Sequence, residues 1–175
     1  MKTAQMMSVL VVAVAVGVLA LGSTAFAGND IEVKASDGLV VITGTVDNVK
    51  VEDGGRVHID GATIKGNVQA DGAFRVEVRF GTTVEGDVQI KKTTYVRVVD
   101  STIEGDIQIE ENGTGGVPIN INRNEVGGNV QVSKNEASEI RIKNNRIDGD
   151  LQVKENDATL VIGQNIVDGD TEIED

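Results

Sequence analysis

The chain contains no cysteine and no tryptophan, and only one proline, one histidine and one tyrosine. Each shortage excludes something. Without Cys there are no disulfides, no thiolate metal ligands and no thiol for lipid attachment behind a leader. One His without Cys makes neither a zinc site nor a nucleophile–base pair. Aromatics are 2% of residues, few for an ordinary globular core. Bases are short as well: 16 Lys and Arg stand against 28 Asp and Glu, a formal charge of −12. That balance argues against nucleic acid and anionic membrane as partners and favours cations or basic surfaces. Phosphate-binding loops, dinucleotide fingerprints and Ser/His/Asp sets are absent. Nothing beyond the leader carries a convincing helical period.

What is present begins with that leader. Lys2 gives a positive start, Met7 to Leu21 is an apolar run, and Ala25-Phe26-Ala27 is a small-residue exit. Charge, apolar stretch and A-x-A in that order predict a signal peptide over residues 1–27, with Gly28 as the first mature residue. The run is short for a full membrane span. Contact with membrane is therefore expected only through an uncleaved signal. The expected location is outside the cytoplasm: periplasm, cell surface or extracellular.

The remainder repeats. Six glycines (Gly66, Gly86, Gly105, Gly128, Gly149 and Gly169) are spaced by 20, 19, 23, 21 and 20 residues. The text around them is nearly constant, as in Val84-Glu-Gly-Asp-Val-Gln-Ile90 and Ile103-Glu-Gly-Asp-Ile-Gln-Ile109. Each repeat holds two alternating apolar strands. One follows the Gly (Val88/Ile90, Ile107/Ile109, Val130/Val132, Leu151/Val153) and one precedes the next (Val57/Ile59, Val96/Val98, Ile119/Ile121, Ile140/Ile142). A further apolar residue lies two before each Gly. Period-two alternation puts one side in and one side out. A unit of about 20 residues cannot cover its own apolar face and must stack. The expected fold is all-β, a single-stranded right-handed parallel β-helix of about seven coils over residues 47–175. Residues 28–46 are expected to form an N-terminal cap or the first strands.

Polar positions repeat too. Asn124, Asn145 and Asn165 share one position, and Asn112, Asn135 and Asn156 another. Stacked at about 4.8 Å, such amides can bond along the stack. Both sets are expected at bends, where Asn tolerates left-handed backbone. The anchor Gly is read as another corner. The insertion Asn112-Gly-Thr-Gly-Gly116 is read as a surface loop, and its glycosylation sequon as chance.

This Gly-Asp-(Val/Ile)-Gln text with Asn ladders resembles right-handed parallel β-helix proteins over roughly residues 45–175. Among them it is similar to the bactofilin kind and to small secreted bacterial repeat proteins. The bactofilin resemblance implies nucleotide-free, end-to-end polymerisation; the export signal departs from that family's cytoplasmic role. Longer pectate-lyase-type enzymes share the fold, and no catalytic motif carries over.

Candidate sites are weighed against plain surface. Glu85, Asp87, Glu104, Asp106, Asp148, Asp150, Asp168 and Asp170 flank the anchor glycines and stack into an acid column. Clustered carboxylate oxygens suit Ca²⁺, the one cofactor the residues suggest. The competing reading is a solvated acidic edge that keeps the rod soluble. Gln69, Gln89, Gln108, Gln131 and Gln152 form an outward column, read as an amide ladder in preference to a sugar-binding face. Thr63, Thr83 and Thr102 form a short column, one residue wide, that suits ice binding poorly. His58 is read as a plain outward residue. No singular acid–base cluster is visible, so the expectation is a non-enzymatic, exported solenoid with a structural or surface-binding role. A polysaccharide- or divalent-cation-binding module is the alternative, with a lyase or hydrolase behind it. Expected partners are envelope polysaccharide or further copies meeting at the solenoid ends.

Overall fold

The computed structural model describes residues 29–113 and 116–174; the expected signal peptide lies outside them. The described residues form a parallel β-solenoid. Coil 4 shows the plan. Val88–Lys91 lies on one face, Tyr95–Val99 on a second and Thr102–Ile103 on a third. Repetition builds three parallel sheets, called A, B and C in that order. Sheet A has eight strands, from Ile31–Val33 to Thr171–Ile173. Sheet B has seven, from Leu39–Ile42 to Thr159–Gly163, and sheet C has seven, from Thr45–Val46 to Ile166–Val167. Every pairing is with the coil above or below. About seven coils of about 20 residues result, as the repeat predicts. Residues 31–46 supply three of the strands and make the first coil. The one described helix is a short 3₁₀ turn, Ala35–Asp37.

Register follows from the alternation. Val68, Val88, Ile107, Val130 and Leu151 pair one above another and form an inward column of sheet A. All five are buried. In sheet C each strand is two residues long, with one inward aliphatic: Ile64, Val84, Ile103, Val126, Ile147. Each fully buried Val or Ile contributes about 1.5–3 kcal/mol. The core needs no aromatics because stacked coils bring like side chains into the same layer spacing.

The corners differ from the sequence reading in one physical respect. Left-handed backbone falls on neither the ladder asparagines nor the anchor glycines. It falls one residue earlier than each ladder residue, on Lys92, Glu111, Lys134 and Glu155 at the A–B corner, and on Asp100, Arg123, Asn144 and Gln164 at the B–C corner. The anchor glycines are needed for close approach instead. A Cβ on Gly105 would lie 2.8 Å from Gly86 O and closer still to Asp87 Oδ1.

Candidate functional site

The acid column sits at the corner between sheets C and A, and it divides into two. The residues after each Gly form a third ladder. Asp87 N–H donates to Asn67 Oδ1 at 2.8 Å, Asp106 N–H to Asp87 Oδ1 at 2.9 Å, and Asn129 N–H to Asp106 Oδ1 at 2.7 Å. Asp150 and Asp170 continue it, each at 2.8 Å. One oxygen of Asp87, Asp106 and Asp150 is thus committed to capping the next coil. The residues before each Gly, Glu85, Glu104, Asp148 and Asp168, are exposed. Arg146 bridges two of them, at 3.2 Å to Asp148 and 2.9 Å to Asp168. Among the described residues no group of three or more His, Asp or Glu is placed to hold a metal ion. What this column does chemically in the structure is hydrogen-bond backbone.

The asparagine columns are ladders, and a stricter kind. Asn145 Nδ2 donates to Ile121 O and to Asn165 Oδ1, both at 3.0 Å. Its Oδ1 accepts from Asn124 N at 3.0 Å and Asn124 Nδ2 at 3.1 Å. Asn112, Asn135 and Asn156 do the same at the A–B corner. Thr93 and Ser101 receive these ladders in coil 4, their N–H groups donating to Asn112 and Asn124. On sheet A the Gln column is in register, and Gln69 Nε2 meets Gln89 Oε1 at 3.3 Å. A shallow depression of about 620 Å³ runs beside it, lined by Lys50, Lys91, Glu110 and the glutamines.

Sheet B is different in kind. On its seven strands Arg56, Arg75, Arg79, Arg97, Arg141 and Lys143 face only Asp60, Glu77 and Glu139, in a chain whose total runs 16 bases to 28 acids. The described aromatics gather there too. Phe74 precedes the coil 3 strand Arg75–Arg79, Phe80 follows it, and Tyr95 opens the coil 4 strand. Each carries a guanidinium: Arg56 over Phe74 at 4.4 Å, Arg75 over Tyr95 at 4.3 Å and Arg79 over Phe80 at 4.7 Å. These are stacking distances for cation–π attraction.

At the centre of this face, pairing aligns His58, Glu77 and Arg97 in one outward column. Glu77 points away from the core yet is 0% exposed. The arginines cover it. Arg75 Nε donates to Oε1 at 2.5 Å and Arg79 Nη1 to Oε2 at 2.7 Å. Arg79 also pairs with Asp60, its Nε at 2.7 Å, and its Nη2 donates to His58 Nδ1 at 2.9 Å. That donation leaves the His58 proton on Nε2. Nε2 lies 3.2 Å from Glu77 Oε1, but the angle makes no hydrogen bond. Burial, with Arg79 and Arg75 adding to it, pushes the His58 pKa below its ordinary value; Glu77 opposes the shift and does not reverse it. His58 is therefore an outward residue, as alternation predicts, but not a plain one: its side chain is 14% exposed and wired to the cluster.

Glu77 cannot reach a ligand, so it acts through the arginines it holds. Once Glu77 and Asp60 are satisfied, two guanidinium forks remain. Arg97 Nη1 is 4.0 Å from Glu77 Oε2, beyond hydrogen-bond distance, and its Nε is buried with no acceptor. Arg56 has no acidic partner among the described residues and rests on Phe74. Sequence reasoning missed this cluster, although its signal was present. Arg-x-His-x-Asp, Arg-x-Glu-x-Arg and Tyr-x-Arg occupy the outward positions of three successive repeats. Comparison of the chain with protein-family profiles, curated proteins and solved structures returns no match.

Proposed function

We propose that the protein is an exported, non-enzymatic solenoid that works by surface contact in the envelope or outside the cell, and that sheet B is the contact face. The observation that carries this is the collection of arginines and aromatics around buried Glu77, on one face of an otherwise acidic rod. Export rests on the leader at residues 1–27. Right-handed winding is kept from the strong handedness of parallel crossovers. The three ladders fix the corners, so the rod is stiff and its faces are free to carry chemistry. A buried carboxylate held by two guanidinia is a positioning device. With no nucleophile beside it and no metal-binding group among the described residues, it supports recognition better than turnover.

The test uses the mature chain and an envelope fraction from the producing cells. Wild type should co-sediment with that fraction and be released by salt, since the attraction is screened. The double variant R56Q/R97Q should stay in the supernatant while melting like the parent. Retention that ignores both salt and the double variant would refute sheet B as the contact face.

A second reading, end-to-end assembly, has one observation in its favour. On the seventh coil Leu160, Ile162 and Val167 are only partly covered, and Ile173 beside them is 47% exposed. The same coil carries Asp168, Asp170, Glu172 and Glu174, so like ends repel.

A further inference from the structure

We infer that the coil 2 to coil 4 stretch of sheet B binds a carboxylate-bearing polysaccharide, with Arg97 and Arg56 as the anion-binding forks and Phe74 and Tyr95 as the platform for sugar rings. This rests on the reading of sheet B as the contact face and adds the class of ligand.

The argument begins with Arg97. Both Glu77 oxygens are already taken at hydrogen-bond distance, by Arg75 and Arg79. Arg97 stands one coil further on with its Nη1 out of reach and its buried Nε–H without an acceptor. The Arg97 side chain as a whole is 36% exposed, which leaves it within reach of an outside acceptor. A guanidinium presents parallel N–H groups that match a carboxylate two to two, which an ammonium does not.

Arg56 repeats the situation two coils away. It is exposed, rests on Phe74 and has no acidic partner among the described residues. The forks lie two coils apart along the rod and two residues apart across it, roughly 12 Å in all at about 4.8 Å per coil and 3.3 Å per residue. A single small anion cannot bridge that distance, whereas an extended polymer lying along the rod meets both forks. Beside them are Phe74, 45% exposed, and the half-buried Tyr95. Arg56 and Arg75 cover one face of each ring, so a pyranose ring would pack on the apolar surface that the guanidinia leave open, and the Tyr hydroxyl adds a polar handle.

Other polyanions fit less well. Nucleic acid carries dense charge along its axis, against which a rod of −12 contributes long-range repulsion. A glycan with spaced carboxylates and many hydroxyls suits a small, polar patch that keeps unmet donors.

Affinity electrophoresis of the mature chain, with chelator present, decides the matter. Gels contain polygalacturonate, its methyl ester or polyglutamate. Wild type should be retarded by polygalacturonate and not by the ester or by polyglutamate. R97Q should weaken retardation at least tenfold, R97K nearly as much, and K65Q not at all. All variants should melt like the parent, because Arg97 makes no hydrogen bond within the fold. Equal retardation by the ester, equal retardation by polyglutamate, or an unchanged R97Q would overturn the glycan assignment. If polygalacturonate fails while envelope binding still depends on Arg56 and Arg97, the ligand class is wrong and the contact face stands. If both fail, both readings fall.

Discussion

Asn145 and Asn129 occupy corner ladders, and changing each to Asp should have opposite consequences. Asn145 is 1% exposed. Its Nδ2 donates to Ile121 O and Asn165 Oδ1, both at 3.0 Å. An Asp there presents an oxygen where a donor stood, facing two other oxygens. The Ile121 carbonyl loses its side-chain partner, at about 1–3 kcal/mol for an unmet buried group. Burying a carboxylate with no cation adds to that. N145D should lose about 3–5 kcal/mol in all, the range seen when a buried charge is left unpaired. That corresponds to roughly 10 °C or more in Tm. Asn129 has a different task. Its Oδ1 accepts from Asp150 N–H at 2.8 Å, which a carboxylate does equally well. Only the 3.2 Å contact from Nδ2 to Asp106 is lost. The added charge near Asp106 and Asp150 is solvated and costs about 1 kcal/mol or less. Urea unfolding followed by circular dichroism at pH 7 should separate the two variants clearly. The pH dependence gives a second check. Burial and two facing oxygens raise the folded pKa of the introduced carboxyl above about 3.9. A group raised on folding is accommodated below its unfolded pKa and destabilises as pH rises through the folded value. The gap between N145D and parent should therefore narrow from pH 7 toward pH 4. If N145D and N129D unfold alike at pH 7, the distinction between donor-requiring and acceptor-only ladders is wrong.

Other expectations concern the core, the cluster, ions and salt. Ile107→Ala should cost about 2–5 kcal/mol in urea unfolding, as an aliphatic removed from a closed column, and Ile107→Asp should abolish cooperative folding; parent-like melting of the Asp variant would disprove the register. Glu77→Ala removes the acceptor of Arg75 and leaves Arg79 with Asp60 and His58, and should lose about 1.5–3 kcal/mol; a loss under about 1 kcal/mol would mean that the cluster is solvated. Because the His58 pKa is lowered in the folded chain, its contribution is present above about pH 6.5 and fades as pH falls through that value. H58Q should flatten the slope of urea midpoint against pH between pH 7 and 5.5. Ca²⁺ should leave the melting midpoint unchanged relative to chelator if the Asp oxygens that cap backbone are spent there; a rise that E85Q/D87N/E104Q/D106N removes would support the cation reading of the acid column. Sedimentation across a salt series separates the two contact modes, since salt weakens sheet B contacts and promotes meeting of acidic ends.

The parallel stack was legible because spacing and alternation agree. Once Gly86, Gly105 and Gly128 are aligned, Val88, Ile107 and Val130 fall into one column, and the structure pairs them so. Sheet C was visible only as a lone apolar residue per repeat, because two-residue strands are too short to show a period. The Asp ladder was hidden for a chemical reason. A carboxylate that caps a backbone N–H and one that is merely solvated are written with the same letter. The left-handed corners were misplaced because Lys92, Glu111 and Arg123 carry no sign of positive φ; the constraint comes from the ladder residue that follows. The sheet B cluster went unread because column alignment on that strand was applied to aliphatics alone. Extended to charged residues, it stacks His58, Glu77 and Arg97 from the text alone.

Where the repetition breaks is itself informative. The outward positions of sheet C begin with short β-formers, Thr45, Thr63, Thr83 and Thr102, before Glu125, Arg146 and Ile166 take over. Those residues pair across coils and bury no charge. The central column of sheet B carries Glu77 instead, and removing its carboxylate from water is expensive unless cations surround it. Replacing a buried ion cluster with well-packed neutral residues is often neutral or stabilising. Folding alone therefore gives no reason for one coil to hold a carboxylate under two guanidinia, with a third fork beside it left unpaired. Corner ladders explain the repeated residues of this chain and leave Glu77, His58 and Arg97 over. They leave an outward positive fork without a hydrogen-bond partner on a face that also holds Phe74, Phe80 and Tyr95. The proposed recognition of an anion would use these residues together.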